Sequence, residues 1–163
     1  MVIPKVIFRY SWVYDQRFRA LFKGKELKDY PSGGEIVKYI SRVKPIWAKQ
    51  EKRIFLELSK IMGLKWRDPT VICYTIGKGR SFSDPLTVKY FENKNDFVDC
   101  LTHEMIHQLQ SQHQRKWDKW RKMVLDKKFK DGPMITQNHI LLHAVHKCLL
   151  LNEPARNLHH FSV

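Results

Sequence analysis

Apolar positions in this chain recur with two different periods, and the changes between them mark its elements. Over residues 46–62 the period is helical: Ile46, Ile54, Leu58 and Ile61 fall on one face, and Gly63 stands where a left-handed residue ends a helix. A shorter helix is predicted over 35–43, behind a Pro-Ser-Gly-Gly turn. Residues 6–14 alternate enough for a strand. Residues 71–76 are a stronger strand candidate, β-branched and aromatic, with Asp-Pro before and Gly-Lys-Gly after. The alternation over 86–91 predicts a half-exposed strand, followed by a turn over 92–95; such a strand either pairs within a sheet or takes an extended peptide along its edge.

A longer helix starts at Asn95 or Asp96, either of which can cap it, and runs through Gln112 or beyond. At 100° per residue Val98, Leu101, Thr102, Met105, Ile106 and Leu109 fill one arc, while His103 and His107 project about 40° apart on the other side. No Gly or Pro interrupts residues 108–112, so the helix is expected to continue into Gln114–Trp120. A second helix begins at Pro133 and stops at Asn152-Glu153-Pro154. Apolar almost all round, it reads as buried, except for one stripe of His139, His143 and His146.

These elements predict an α+β fold, a short mixed sheet packed on two histidine-bearing helices, and 163 residues suit a single domain. Residues 1–45 read as an N-terminal elaboration, 69–151 as the core and 152–163 as a C-terminal tail. The three cysteines, Cys73, Cys100 and Cys148, form no CxxC pair and no disulfide framework, which fits a reducing cytoplasm. Pro4, Lys5 and Arg9 break up the apolar N-terminus, so no signal peptide is expected. The apolar run 140–151 is shorter than the roughly 20 residues of a membrane span, and no membrane partner is expected. Thirty Lys and Arg against 16 Asp and Glu leave a net charge of +14, densest over 44–53 and 115–130. Such an excess either solvates helix faces or attracts nucleic acid or an acidic partner.

His103-Glu104-Met105-Ile106-His107 is an HExxH sequence on a helix, the spacing at which two imidazoles converge on one zinc ion. Glu104 lies about 100° round from His103, placed to reach a zinc-bound water without ligating the metal. A catalytic site needs a third protein ligand. His113 would face about 120° away from the metal on a continuous helix. His139 is the better candidate, because a buried helix has little reason to carry three imidazoles unless something satisfies them. An oxyanion-stabilising donor is left open between Tyr90, His146 and an arginine.

HExxH followed by a second helix with the third ligand resembles the gluzincin metallopeptidases, whose second helix typically reads Asn-Glu-x-x-x-Asp. The corresponding segment here is Asn138-His139-Ile140-Leu141-Leu142-His143, and it is similar to the short minigluzincins of thermophilic prokaryotes, which carry histidine at the glutamate position. The resemblance spans roughly residues 69–151; the basic N-terminal region and the insertion over 115–130 depart from it. It implies a small zincin-like domain that hydrolyses peptide or protein substrates, with Zn2+ on His103, His107 and His139, Glu104 as base, and His143 holding a ligand imidazole. It also implies latency through the tail, where Glu153, Leu158, His159, His160 and Phe161 could approach the site. The string His113-Gln-Arg-Lys-Trp117, followed by Met123, faintly resembles SprT-like proteases that act on DNA-attached proteins, and would make His113 the third ligand. A third-His site of the metzincin kind lacks its glycine, which is Gln110 here. The alternative from another class is a basic module that binds nucleic acid through Trp117 and Trp120 and holds zinc without catalysis.

Overall fold

The structure is a computed structural model that describes residues 2–129 and 132–151. Strand β1 covers only Lys5–Arg9, because Ser11 caps a helix: its Oγ accepts from the Tyr14 amide at 3.3 Å, and the chain turns into α1 (Trp12–Arg19) where a strand through Tyr14 was expected. The short α2 (Gly24–Lys28), which no periodicity announced, follows. Helix α3 (Gly33–Ala48) starts in a reciprocal Ser32/Glu35 capping box and runs straight through Pro45. The proline costs a helix interior about 3 kcal/mol, yet Ile36, Tyr39, Val43 and Trp47 bury one continuous face across it. Helix α4 (Glu51–Met62) therefore begins five residues later than the pattern predicted, and Gly63 closes it at φ 61°.

Next come β2 (Thr70–Ile76), β3 (Phe82–Ser83) and β4 (Leu86–Lys89), which with β1 form a four-stranded mixed sheet ordered β1-β2-β4-β3. The first three in that order are parallel, and β3 pairs antiparallel with β4. The strand predicted over 86–91 is therefore interior, not a half-exposed edge. Leu86, Thr87 and Val88 are all buried because α5 packs on one face of the strand and Tyr14 of α1 reaches Thr87 on the other, and the free border there is β3. The helices α5 (Lys94–Ser111), α6 (Gln114–Lys128) and α7 (Met134–Leu151) complete an α+β domain with seven helices among the described residues.

Alternation along the strands sorts the layers. Val6, Val71 and Cys73 face a core shared with α3 and α5, where Phe55, Phe97, Leu101, Met105 and Ile106 are fully buried. On the opposite face α1 covers the sheet in part, with the Tyr14 ring 5.2 Å from Tyr74 and Phe18 6.0 Å from Phe82. Residues 1–45 thus supply a sheet strand and core side chains as well as surface. Buried Asp15 fastens α1: its Oδ1 accepts from the Tyr30 hydroxyl at 2.6 Å and the Gly77 amide at 2.9 Å. Tyr30 is packed so tightly over Gly77 that any Cβ there would collide with its ring.

Two expectations about the C-terminal half are corrected. The helix does not continue through residues 112–113. Gln112 caps α5, accepting from the Arg67 amide at 2.9 Å and donating to Asp68 at 3.0 Å, and the chain restarts as α6 so that Trp117 enters the core. Helix α7 is buried on one side only. Leu142, Val145, His146 and Leu149 pack toward α4, α5 and α6, whereas His143, Ala144, Lys147 and Cys148 are exposed, since no element among the described residues covers them. Among the described residues no helix is long and apolar enough to cross a membrane, and all three cysteines are free.

Buried Glu51 joins β1 to the helices: Oε1 accepts from the Val6 amide at 2.8 Å and the Trp47 indole at 2.9 Å, and Lys5 lies 3.3 Å from Oε2. Glu51→Ala orphans two buried donors at about 1–3 kcal/mol each. It should lower stability by about 2–4 kcal/mol, read as a lower urea midpoint with an unchanged slope.

Candidate metal centre

Helix α5 begins at Asn93, whose side chain accepts from the Asn95 amide at 2.9 Å, slightly earlier than the sequence suggested. Phe97, Leu101, Met105, Ile106 and Leu109, all fully buried, lock one side of the helix into the core. The helical period then turns His103 and His107 to the other side, where their ring centroids lie 5.2 Å apart. Helix α7 supplies the third imidazole. Its buried stripe of Leu142, Val145 and Leu149 sets the rotation, and His139, His143 and His146 border that stripe within about 60° of one another. The His139 ring consequently stands 5.7 Å from His103 and 5.4 Å from His107.

One ring nitrogen from each of His103, His107 and His139 lies within 4.8 Å of the others, and all three side chains are half-buried. Ligand nitrogens about 2.0–2.1 Å from a tetrahedral zinc stand closer together than this limit, so small side-chain rotations would close the set. The donor chemistry fits. Burial and the neighbouring imidazoles hold His103 down at about 4, and burial likewise lowers His107, so both are neutral, with a lone pair available, at neutral pH. His107 Nδ1 lies 3.1 Å from Gln110 Oε1. With His107 Nδ1 as the donor of this contact, Nε2 is left for a metal.

Glu104, next to His103 in the chain, is buried, and loss of solvent pushes its carboxyl up to about 7. His143 is exposed on the rim, its ring 5.7 Å from both His103 and His139, and burial and His139 lower its pKa. His146 is buried, with its ring 6.0 Å from His103. Its Nε2 stands 3.1 Å from Asp99 Oδ1 yet outside hydrogen-bond geometry, so it has no hydrogen-bond partner among the described residues. Of the open oxyanion-donor candidates, His146 thus borders the cluster, whereas the Tyr90 ring packs against Tyr39 at 4.3 Å.

His113 is not brought into the cluster. Its Nε2 lies 2.7 Å from the Lys65 carbonyl and fastens the α5–α6 junction to the segment before β2. The helix break that might have turned His113 toward the metal turns it to this carbonyl instead. Three polar neighbours went unread in the sequence: Gln110, Asp99, and Gln108, whose Nε2 donates to the Ser83 carbonyl and ties β3 to the site helix. Spacing could have found two of them, since Asp99 precedes His103 by one turn and Gln110 follows His107 by three residues. The tail over 152–163 lies outside the described residues.

Compared with protein-family models, curated sequences and solved structures, the chain matches none. The reading of the site rests on its own geometry. His139→Ala should abolish stoichiometric zinc retention while His113→Ala retains it, measured as metal content after gel filtration. Zinc lost only from the His113 variant would reverse the ligand assignment.

Proposed function

We propose that this protein is a zinc-dependent metallopeptidase of the zincin kind, with His103, His107 and His139 as the metal ligands and Glu104 as the base. The observation that carries the reading is the convergence of His139, from a helix 32 residues further along the chain than His107, on the two histidines of HExxH. Local helix geometry explains one pair of imidazoles. It does not explain a third arriving from another element, and three histidines with no cysteine among them are the ligand number of an open, catalytic site.

When bound, zinc would supply a Lewis acid for a peptide carbonyl and lower the pKa of a water. Glu104 follows His103 in the motif, and in this reading its carboxylate oxygen takes the proton of the attacking water as the new C–O bond forms. The same oxygen returns the proton to the amine nitrogen as the C–N bond breaks. His143 and His146 flank the ligand rings and limit how far these can turn. An extended substrate would meet the sheet at β3, the border tied to the site helix through Gln108.

Glu104→Gln keeps the shape of the side chain and removes the proton acceptor. It should retain zinc and the far-ultraviolet spectrum of the parent while lowering kcat on a casein or mixed-peptide substrate by about 10²–10⁴-fold. Full activity in the zinc-loaded variant would defeat the mechanism. A parent protein that holds zinc and cleaves nothing on a broad panel would defeat the enzyme reading and leave a metal-binding fold.

A further inference from the structure

A second concave site lies away from the histidines, and no metal ligand lines it. Between the C-terminal end of α4 and the outer side of α6 there is a cavity of about 340 Å³ bordered by Met62, Leu64, Trp117, Trp120 and Met123. Met62 and Leu64 are buried and make the floor, as does Trp117, which is 6% exposed. Trp120 and Met123 are 37% and 60% exposed and stand up as the wall. The floor exists because of the break before α6: His113 holds the helix start to the Lys65 carbonyl, and Gly63 leaves open space above the end of α4.

The rim is of one sign. Lys116 and Lys119, both exposed, border the cavity. Asp118, the one acid of residues 114–123, lies about 160° round the helix from Trp120. There it accepts from Gln114 Nε2 at 2.9 Å. Apolar lining under a ring of ammonium groups selects an occupant with an apolar anchor flanked by carboxylates.

We infer that this groove is a docking site for an acidic peptide segment that inserts a Leu-, Phe- or Met-type side chain between Trp120 and Met123 and sets its carboxylates against Lys116 and Lys119. A nucleic acid strand shares the charge requirement but needs open aromatic faces on which successive bases stack. Only Trp120 offers one; Trp117 is buried and the other lining groups are thioethers and an aliphatic chain. Methionine at the wall of a peptide groove adapts to anchors of differing shape. The site is therefore a recognition surface for acidic protein segments, separate from the metal centre.

The test is fluorescence anisotropy with a labelled short peptide carrying Leu and Phe among Asp and Glu, on the Glu104→Gln protein so that cleavage cannot consume the probe. Binding should weaken as salt rises and be equal with and without zinc, which keeps its outcome independent of the metal-centre reading. Trp120→Ala, and separately the pair Lys116→Glu and Lys119→Glu, should each raise Kd by about tenfold or more. All these side chains are exposed, and an unchanged circular dichroism spectrum shows that the variants fold. A peptide with its Leu and Phe replaced by Ala, and one with its acids replaced by Lys, should bind at least about tenfold more weakly. The inference is overturned if either control peptide binds as well as the parent, if Trp120→Ala leaves Kd unchanged, or if labelled oligo(dT) binds more tightly and displaces the peptide; this last result would assign the groove to single-stranded nucleic acid.

Discussion

Two imidazoles four residues apart share a target only while their helix cannot rotate about its axis, and the candidate centre depends on the lock that prevents this in α5. Phe97, Leu101, Met105, Ile106 and Leu109 sit with no exposed surface between sheet and helices. Rotating the helix by one residue, about 100°, would bring polar groups such as Glu104, Asp99 or His103 toward that apolar volume. Each large buried side chain contributes roughly 1.5–3 kcal/mol to holding the rotation, far more than the imidazole face could supply by itself. The orientation of the site is thus a by-product of core packing.

The same logic fixes the third imidazole with less to spare. Helix α7 packs on α4, α5 and α6 and is buried on one side, so its rotation rests chiefly on Leu142, Val145 and Leu149. Polar contacts add to this. Asp99 on α5 approaches His146 on α7, and the facing His103 and His139 rings are close to parallel, at 22°. Protonation of His103 and His107 is opposed by burial and by the neighbouring rings, which keeps these imidazoles neutral.

Much of this was legible along the chain, and the failures share a cause. The HExxH face, the interruption near Gly63, the helix behind Pro133 and the stripe of His139, His143 and His146 all follow from contacts within three or four residues, which spacing reports directly, whereas the approach of His139 to His103 and His107 is a tertiary contact. The strand 86–91 is not half-exposed, because alternation says which faces a strand has and not what covers them; α5 and Tyr14 of α1 cover both. Pairing with β2, decided by residues 71–76, makes β4 interior. Pro45 looked like a boundary, yet burial of Tyr39, Val43 and Trp47 carries α3 through it. Ser11, by contrast, is a cap visible in the sequence, and capping outweighs the alternation of residues 6–14.

His113 shows most clearly where reading by spacing ends. Nothing among residues 108–113 breaks a helix, so the expectation was one continuous rod that left His113 idle on its surface. The break comes from outside: residues 65–68 offer the Lys65 carbonyl, the Arg67 amide and the Asp68 carboxylate to Gln112 and His113. Satisfying those groups ends α5 and redirects α6, which buries Trp117 and raises the wall of the groove. A histidine six residues beyond HExxH thus serves the fold by donating to the Lys65 carbonyl. The candidate metal centre and the groove are joined mechanically at this one junction, because the helix that must not rotate for the histidines ends where the chain turns to build the second surface.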